Sequence, residues 1–142
     1  MNEVHAHLLL NHSPLLTSLF GLVLLVLGLV RGNAVLTRTG LWTVLAAALL
    51  CLPTQLTGEG AEEALRQVPG VSAALVEAHE KAAELGFWAL ELTGALALLT
   101  LQGTTHFRRL AWLTAAATLF SLGLLAQASN LGGQIRHPEI RG

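Results

Sequence analysis

The side chains able to do chemistry in this chain are six histidines, nine glutamates and one cysteine. Their positions are uneven. His5, His7 and His12 precede the first long apolar run, His79 precedes the third, and His137 follows the fourth. Glutamates keep them company: Glu3 before the first run, Glu59, Glu62 and Glu63 after the second, Glu77, Glu80 and Glu84 before the third, Glu139 after the fourth. Imidazole and carboxylate are the usual ligands of Fe, Cu and Zn, and a pair of neutral imidazoles holds b-type haem. One cysteine permits neither an intrachain disulfide nor a Cys-rich metal site. The pattern HEKAA is not H-E-x-x-H, and no C-x-x-C-H or phosphate loop is present.

The elements that must position these groups are apolar runs. The chain is 53% hydrophobic and 12% charged, against about 25% charged in soluble domains. Runs at 14–30, 40–53, 85–101 and 110–128 are rich in Leu and Ala. They are too long for strands and close to the roughly 20 residues that a helix needs to cross a bilayer. The second run is short, so the span is drawn as 40–56. The expected fold is therefore all-α: a bundle of four transmembrane helices in one domain, 1–142. A net charge of −1 gives no footprint for nucleic acid. The first run follows no basic segment, so it reads as a retained span rather than a cleaved signal.

Local signals refine the elements. Ser13 can cap the first helix, with Pro14 in its first turn. VPGVS at 68–72 is a turn, and Ser72 can cap a long helix that runs into the third span. A separate short helix is expected at 59–67. Gly132 and Gly133 are expected to end the fourth helix, and Pro138 to hold His137 extended. Trp42, Trp88 and Trp112 sit near span ends as interface anchors.

Four spans put both termini and the partly helical 54–84 loop on one side. Five of the six histidines lie there. Arg31, Arg38, Arg108 and Arg109 occupy two short loops on the other side, which carries no acid. Short arginine-bearing loops favour the cytoplasm, so the histidine-rich side is expected to be periplasmic, in a bacterial inner membrane. His106, beside Arg108 and Arg109, reads as an ordinary interfacial residue.

Four segments thus deliver His and Glu to one rim of a bundle, as a site built from several helices requires. A haem would take His12 and His79 as its axial pair, with Arg136 and Arg141 toward the propionates. A metal ion would take His12, His79, His137, Glu59, Glu63 and Glu80. His5, His7, Glu84, Glu91 and Glu139 are further candidates. Glu59 and Glu63 share a helix face, as do Glu80 and Glu84, with Glu91 deeper on the same stripe. Glu62 and Glu77 read as solvated surface. Glu91 lies inside the third span, where an acid is costly. It either handles protons or is a structural carboxyl bonded to Thr17, Ser18 or Gln127. The segment QIRHPE is expected to fold across the rim, with Arg136 paired to a carboxylate.

NHSP before the first span, TGEGAEE after the second, HE before the third and GGQIRHPEI after the fourth resemble a family of small bacterial four-helix membrane proteins, a domain of unknown function. Its members carry a His-x-Pro element at the start of the first helix, matched here by His12-Ser13-Pro14. The resemblance implies the fold and a bacterial source. It implies no activity.

The leading functional expectation is a redox-active centre at the periplasmic rim, either b-type haem or a transition-metal ion (Fe, Cu or Zn), in electron transfer. Its partners would be membrane lipids and a periplasmic electron-transfer protein or a larger membrane complex, with homo-oligomerisation open. The alternatives are a non-catalytic subunit that docks a periplasmic partner and a membrane metalloenzyme. Four spans offer little room for a transport path.

Overall fold

The computed structural model describes residues 3–103 and 105–140. It is all-helical across these residues apart from turns: α1 Glu3–Leu10, α2 Ser13–Arg31, α3 Ala34–Arg66, α4 Ala73–Leu101, α5 Phe107–Arg136 and a closing 3-10 turn at Pro138–Ile140. The helices α2 to α5 form a ring, each packed on the next and α5 closing on α2. Four helical stretches are long and apolar enough to cross a membrane.

The interior combines leucine, valine and alanine clusters around Leu25, Leu41, Val44 and Leu90 with a set of buried hydroxyls, and the exterior is greasy. Ser18, Thr37, Thr93, Thr100, Thr114, Thr118 and Ser121 are buried, while Leu19, Phe20, Val23, Leu49, Leu92, Leu119 and Phe120 are exposed. Each buried hydroxyl bonds a carbonyl in its own helix, as from Thr118 to Thr114 O at 2.7 Å, so no donor is stranded. Lipid tails and leucines are equally apolar, so close backbone approach, not leucine burial, holds such helices together. Gly28 shows this best. A Cβ there would lie 2.4 Å from the backbone N of Thr37, which ties α2 to α3.

Helix ends follow partly from the expected signals. Ser72 accepts from Leu75 N and caps α4, and Asn33 caps α3 through Leu36 N. At α2 the cap differs. His12 is the N-cap and makes no capping bond, while Ser13 Oγ donates back to Leu10 O at 2.6 Å. That bond stitches α2 to the end of α1.

Two boundaries overturn the expectation. No separate helix forms at 59–67, because α3 continues through Pro53 to Arg66. Proline is tolerated in a transmembrane helix when its neighbours accommodate the missing N–H, and here threonines on the C-terminal side of Pro53 tie their hydroxyls back to the helix. Thr54 Oγ1 donates to Leu50 O at 2.9 Å and Thr57 Oγ1 to Pro53 O at 2.8 Å. Likewise α5 does not stop at Gly132 or Gly133 but runs on to Arg136. His137, with φ −121°, then turns the chain out of the helix.

These continuations matter for function. At about 1.5 Å per residue, the 33 residues of α3 and 30 of α5 give rods of about 50 and 45 Å. The hydrocarbon is about 30 Å thick. The excess of α3, α4 and α5 falls at the histidine-rich end, and α1 stands beside the extension of α3. Four helical walls therefore project beyond the spans.

Candidate functional site

The projecting walls enclose a cavity of about 730 Å³, within the range of pockets that hold small molecules and cofactors. Its inner end is apolar, with Leu15, Cys51, Phe87 and Leu125. Its outer end carries Glu59, Glu62, Glu80, Arg136 and His137. Between them lie His7 and His79.

These two histidines are held in the same way. His7 Nδ1 lies 3.1 Å from Thr54 O on α3, and His79 Nδ1 lies 2.9 Å from Ala128 O on α5. A backbone carbonyl only accepts, so Nδ1 must carry the proton and donate. In the neutral ring that leaves the Nε2 lone pair available. Each ring also lies against a glycine one turn beyond the carbonyl it bonds. A Cβ at Gly58 would sit 3.4 Å from His7 Cε1, and one at Gly132 would sit 3.2 Å from His79 Cε1. The absence of a side chain at i+4 gives an imidazole access to the carbonyl at i. Two helices thus present two matched imidazole cradles to one cavity.

The electrostatics agree for His7, which stands on α1 beyond the first span. Burial pushes its pKa down, the Thr54 carbonyl works against that, and His79 adds to the lowering. His7 is thereby kept neutral. Glu62 also lies outside the spans, near the tip of α3. Burial first, then the charges of Glu80 and Glu59, raise it to about 7 against the opposing pull of Arg66. Arg66 bonds Glu80 at 3.1 Å and ties α3 to α4. Glu77 is solvated as expected and pairs with Lys81 on the outer surface.

Of the residues singled out from sequence, His7, His12, His79, His137, Glu59, Glu80, Glu84 and Arg136 line the cavity. His5, Glu63, Glu91 and Glu139 do not, and Arg141 lies outside the described residues. Several roles change. His12 is exposed and makes no cap bond, so His7 rather than His12 shares the oriented geometry of His79. Glu62 is half-buried on the cavity wall, not surface. Among the described residues Arg136 has no ion pair, because Glu80 is taken by Arg66. Glu91 Oε1 is buried with no hydrogen-bond partner, so the expected bonds to Thr17, Ser18 or Gln127 do not satisfy it. His137 Nδ1 bonds Glu139 Oε1 at 3.0 Å, and both side chains are exposed.

Sequence reasoning missed Glu62, Asn11 and the two glycines. Asn11 Oδ1 is buried without a partner beside the cavity, at the joint between α1 and α2. The signal for the cradles was present as T-x-x-x-G at 54–58 and A-x-x-x-G at 128–132. It gains meaning only once a histidine from another segment faces each pair.

Among the described residues, no three His, Cys, Asp or Glu side chains converge closely enough to hold a metal ion. The arrangement offers two oriented imidazoles, one held on α3 and one on α5, lining one amphipathic cavity together with Arg136 and several carboxyls. No protein-family model, no curated protein and no solved structure matches this chain.

Proposed function

We propose that the chain is a membrane haem protein that holds b-type haem between His7 and His79 and takes part in single-electron transfer. One observation carries the reading: both imidazoles donate Nδ1–H to a helix carbonyl and rest on a glycine. Ligating histidines characteristically fix their tautomer through such a second bond. A haem would need only two ligands from the protein, whereas a non-haem ion takes at least three, and no such group converges among the described residues. The cavity's apolar inner end suits the macrocycle. Arg136, without a carboxylate partner, suits a propionate. When bound, haem supplies a reversible one-electron couple, and the chain's residues orient it and shield it from water.

The reading places the haem-bearing end in the periplasm of a bacterial inner membrane, where the rim acids Glu59, Glu63 and Glu77 would meet a basic face of an electron-transfer protein. Reconstitution of the purified protein with haem tests it. The expected result is a low-spin spectrum of bis-histidine type at one haem per chain. His7→Ala and His79→Ala should each lose it, and His12→Ala should keep it. A folded wild-type chain that takes up no haem overturns the reading. Loss of the spectrum in His12→Ala alone would return the axial role to His12.

A further inference from the structure

The opposite end of the bundle carries a shallow surface depression formed by Thr105, His106, Arg108, Arg109 and Trp112, all of them exposed. Three observations there concern charge. Arg108 and Arg109 have no ion pair among the described residues. No acid lies in either loop at this end, which also holds Arg31 and Arg38. His106 is the N-cap of α5 and supplies no side-chain acceptor to the first-turn N–H groups. Arg38 is engaged otherwise and bonds Leu101 O at the end of α4.

Depth is the remaining consideration. Trp112 is one turn inside α5 and exposed to the exterior, at the level where indoles mark the membrane interface. With Trp112 as an interface anchor, two arginines, a histidine and an indole would stand at the level of lipid headgroups.

We propose that this depression is a binding site for the phosphate of an anionic phospholipid headgroup. The guanidinium groups of Arg108 and Arg109 donate to its oxygens, the open N–H groups of α5 add to the attraction, and Trp112 packs on the glycerol and upper acyl region. The site is independent of the His7–His79 cavity.

Native mass spectrometry of the full chain, released from nanodiscs of mixed phosphatidylglycerol and phosphatidylcholine, tests it. Wild type should retain phosphatidylglycerol in preference to phosphatidylcholine. Arg108→Gln with Arg109→Gln should lower that preference by about thirtyfold, as loss of contacts worth about 1 kcal/mol for each of two basic residues implies. Arg31→Gln, at the same end but outside the depression, should lower the preference by much less than the double variant does. An equal loss in Arg31→Gln means diffuse attraction and overturns the built site, as does an unchanged double variant. Displacement of the lipid by millimolar inorganic phosphate overturns the lipid assignment in favour of a soluble phosphate ligand. Melting of each variant in phosphatidylcholine nanodiscs, expected to match wild type, excludes misfolding as the cause.

Discussion

His79 and Gly132 touch across the α4–α5 interface: the ring's Cε1 would lie 3.2 Å from a Cβ added at position 132. The same relation joins His7 to Gly58, at 3.4 Å. The small difference in spacing decides what alanine would do. Replacing an interior helical glycine with alanine gains about 0.8–1 kcal/mol in helix propensity. At 58 the new methyl is in ordinary contact, so Gly58→Ala should raise stability by most of that amount. At 132 the ring must yield by a few tenths of an ångström and strain its bond to Ala128 O. Gly132→Ala should therefore gain nothing or lose about 1 kcal/mol. Thermal melts of the two variants in one detergent provide the comparison. Equal stabilisation would show that the His79 cradle is loose.

The α2–α3 contact gives a harder test. A Cβ at Gly28 meets backbone, at 2.4 Å from Thr37 N, and backbone cannot step aside. Gly28→Ala should force the helices apart and cost about 1–3 kcal/mol. Gly123, on α5, has open space around its would-be Cβ. Gly123→Ala should be neutral or stabilise by about 0.5–1 kcal/mol. If both variants melt alike, glycine-mediated packing is not what holds this pair.

Glu62 predicts a pH dependence. Its pKa is raised to about 7 in the fold, above the ordinary carboxylate value of about 4.3. The folded state therefore binds the extra proton between these values, and stability falls as pH rises through that window. Above about 7 the whole penalty is present. Glu62→Gln should be more stable than wild type at pH 8, and the advantage should vanish near pH 4. Because the side chain is half-exposed, solvent keeps the effect to about 1 kcal/mol or less. Paired melts at the two pH values measure it. A variant advantage that grows toward low pH would contradict the assigned environment.

The bundle was legible because it rests on long-range composition. Apolar runs near 20 residues, turn chemistry at 68–72 and the gathering of His and Glu at one end follow from spacing alone. The gathering was legible for the same reason, since span ends on one side of a bundle are neighbours. What failed was local. Pro53 and the Gly132–Gly133 pair are helix breakers by propensity, yet both lie inside helices. In one case the helix carries on past the proline, with threonine hydroxyls tied to the carbonyls of Leu50 and Pro53. In the other an imidazole occupies the space that a side chain would fill. His12 adjoins the first span, whereas His7 is the ring that meets a helix carbonyl across the bundle. That depends on the register of α1 against α3, for which short-range spacing carries no signal.

Glu91 gives the last prediction. Its Oε1 is buried in the third span without a partner, and Glu91 does not line the His7–His79 cavity, although Cys51 on the neighbouring helix does. A buried polar atom left unpaired costs about 1–3 kcal/mol, and an apolar group of similar shape removes that cost. Glu91→Met conserves much of the volume and takes away both carboxyl oxygens. It should therefore raise the melting temperature in bilayer nanodiscs. Glu91→Gln, which keeps a polar head in the same place, should gain less. The order Met above Gln above wild type is the expected result. A Met variant less stable than wild type would mean that the carboxyl contributes an interaction holding the bundle together. If the expected order holds and the Met variant also takes up haem normally but changes the pH dependence of its potential, Glu91 serves proton movement at a measurable cost to stability. A normal potential at every pH would leave it as an unpaired carboxyl with no part in the redox chemistry.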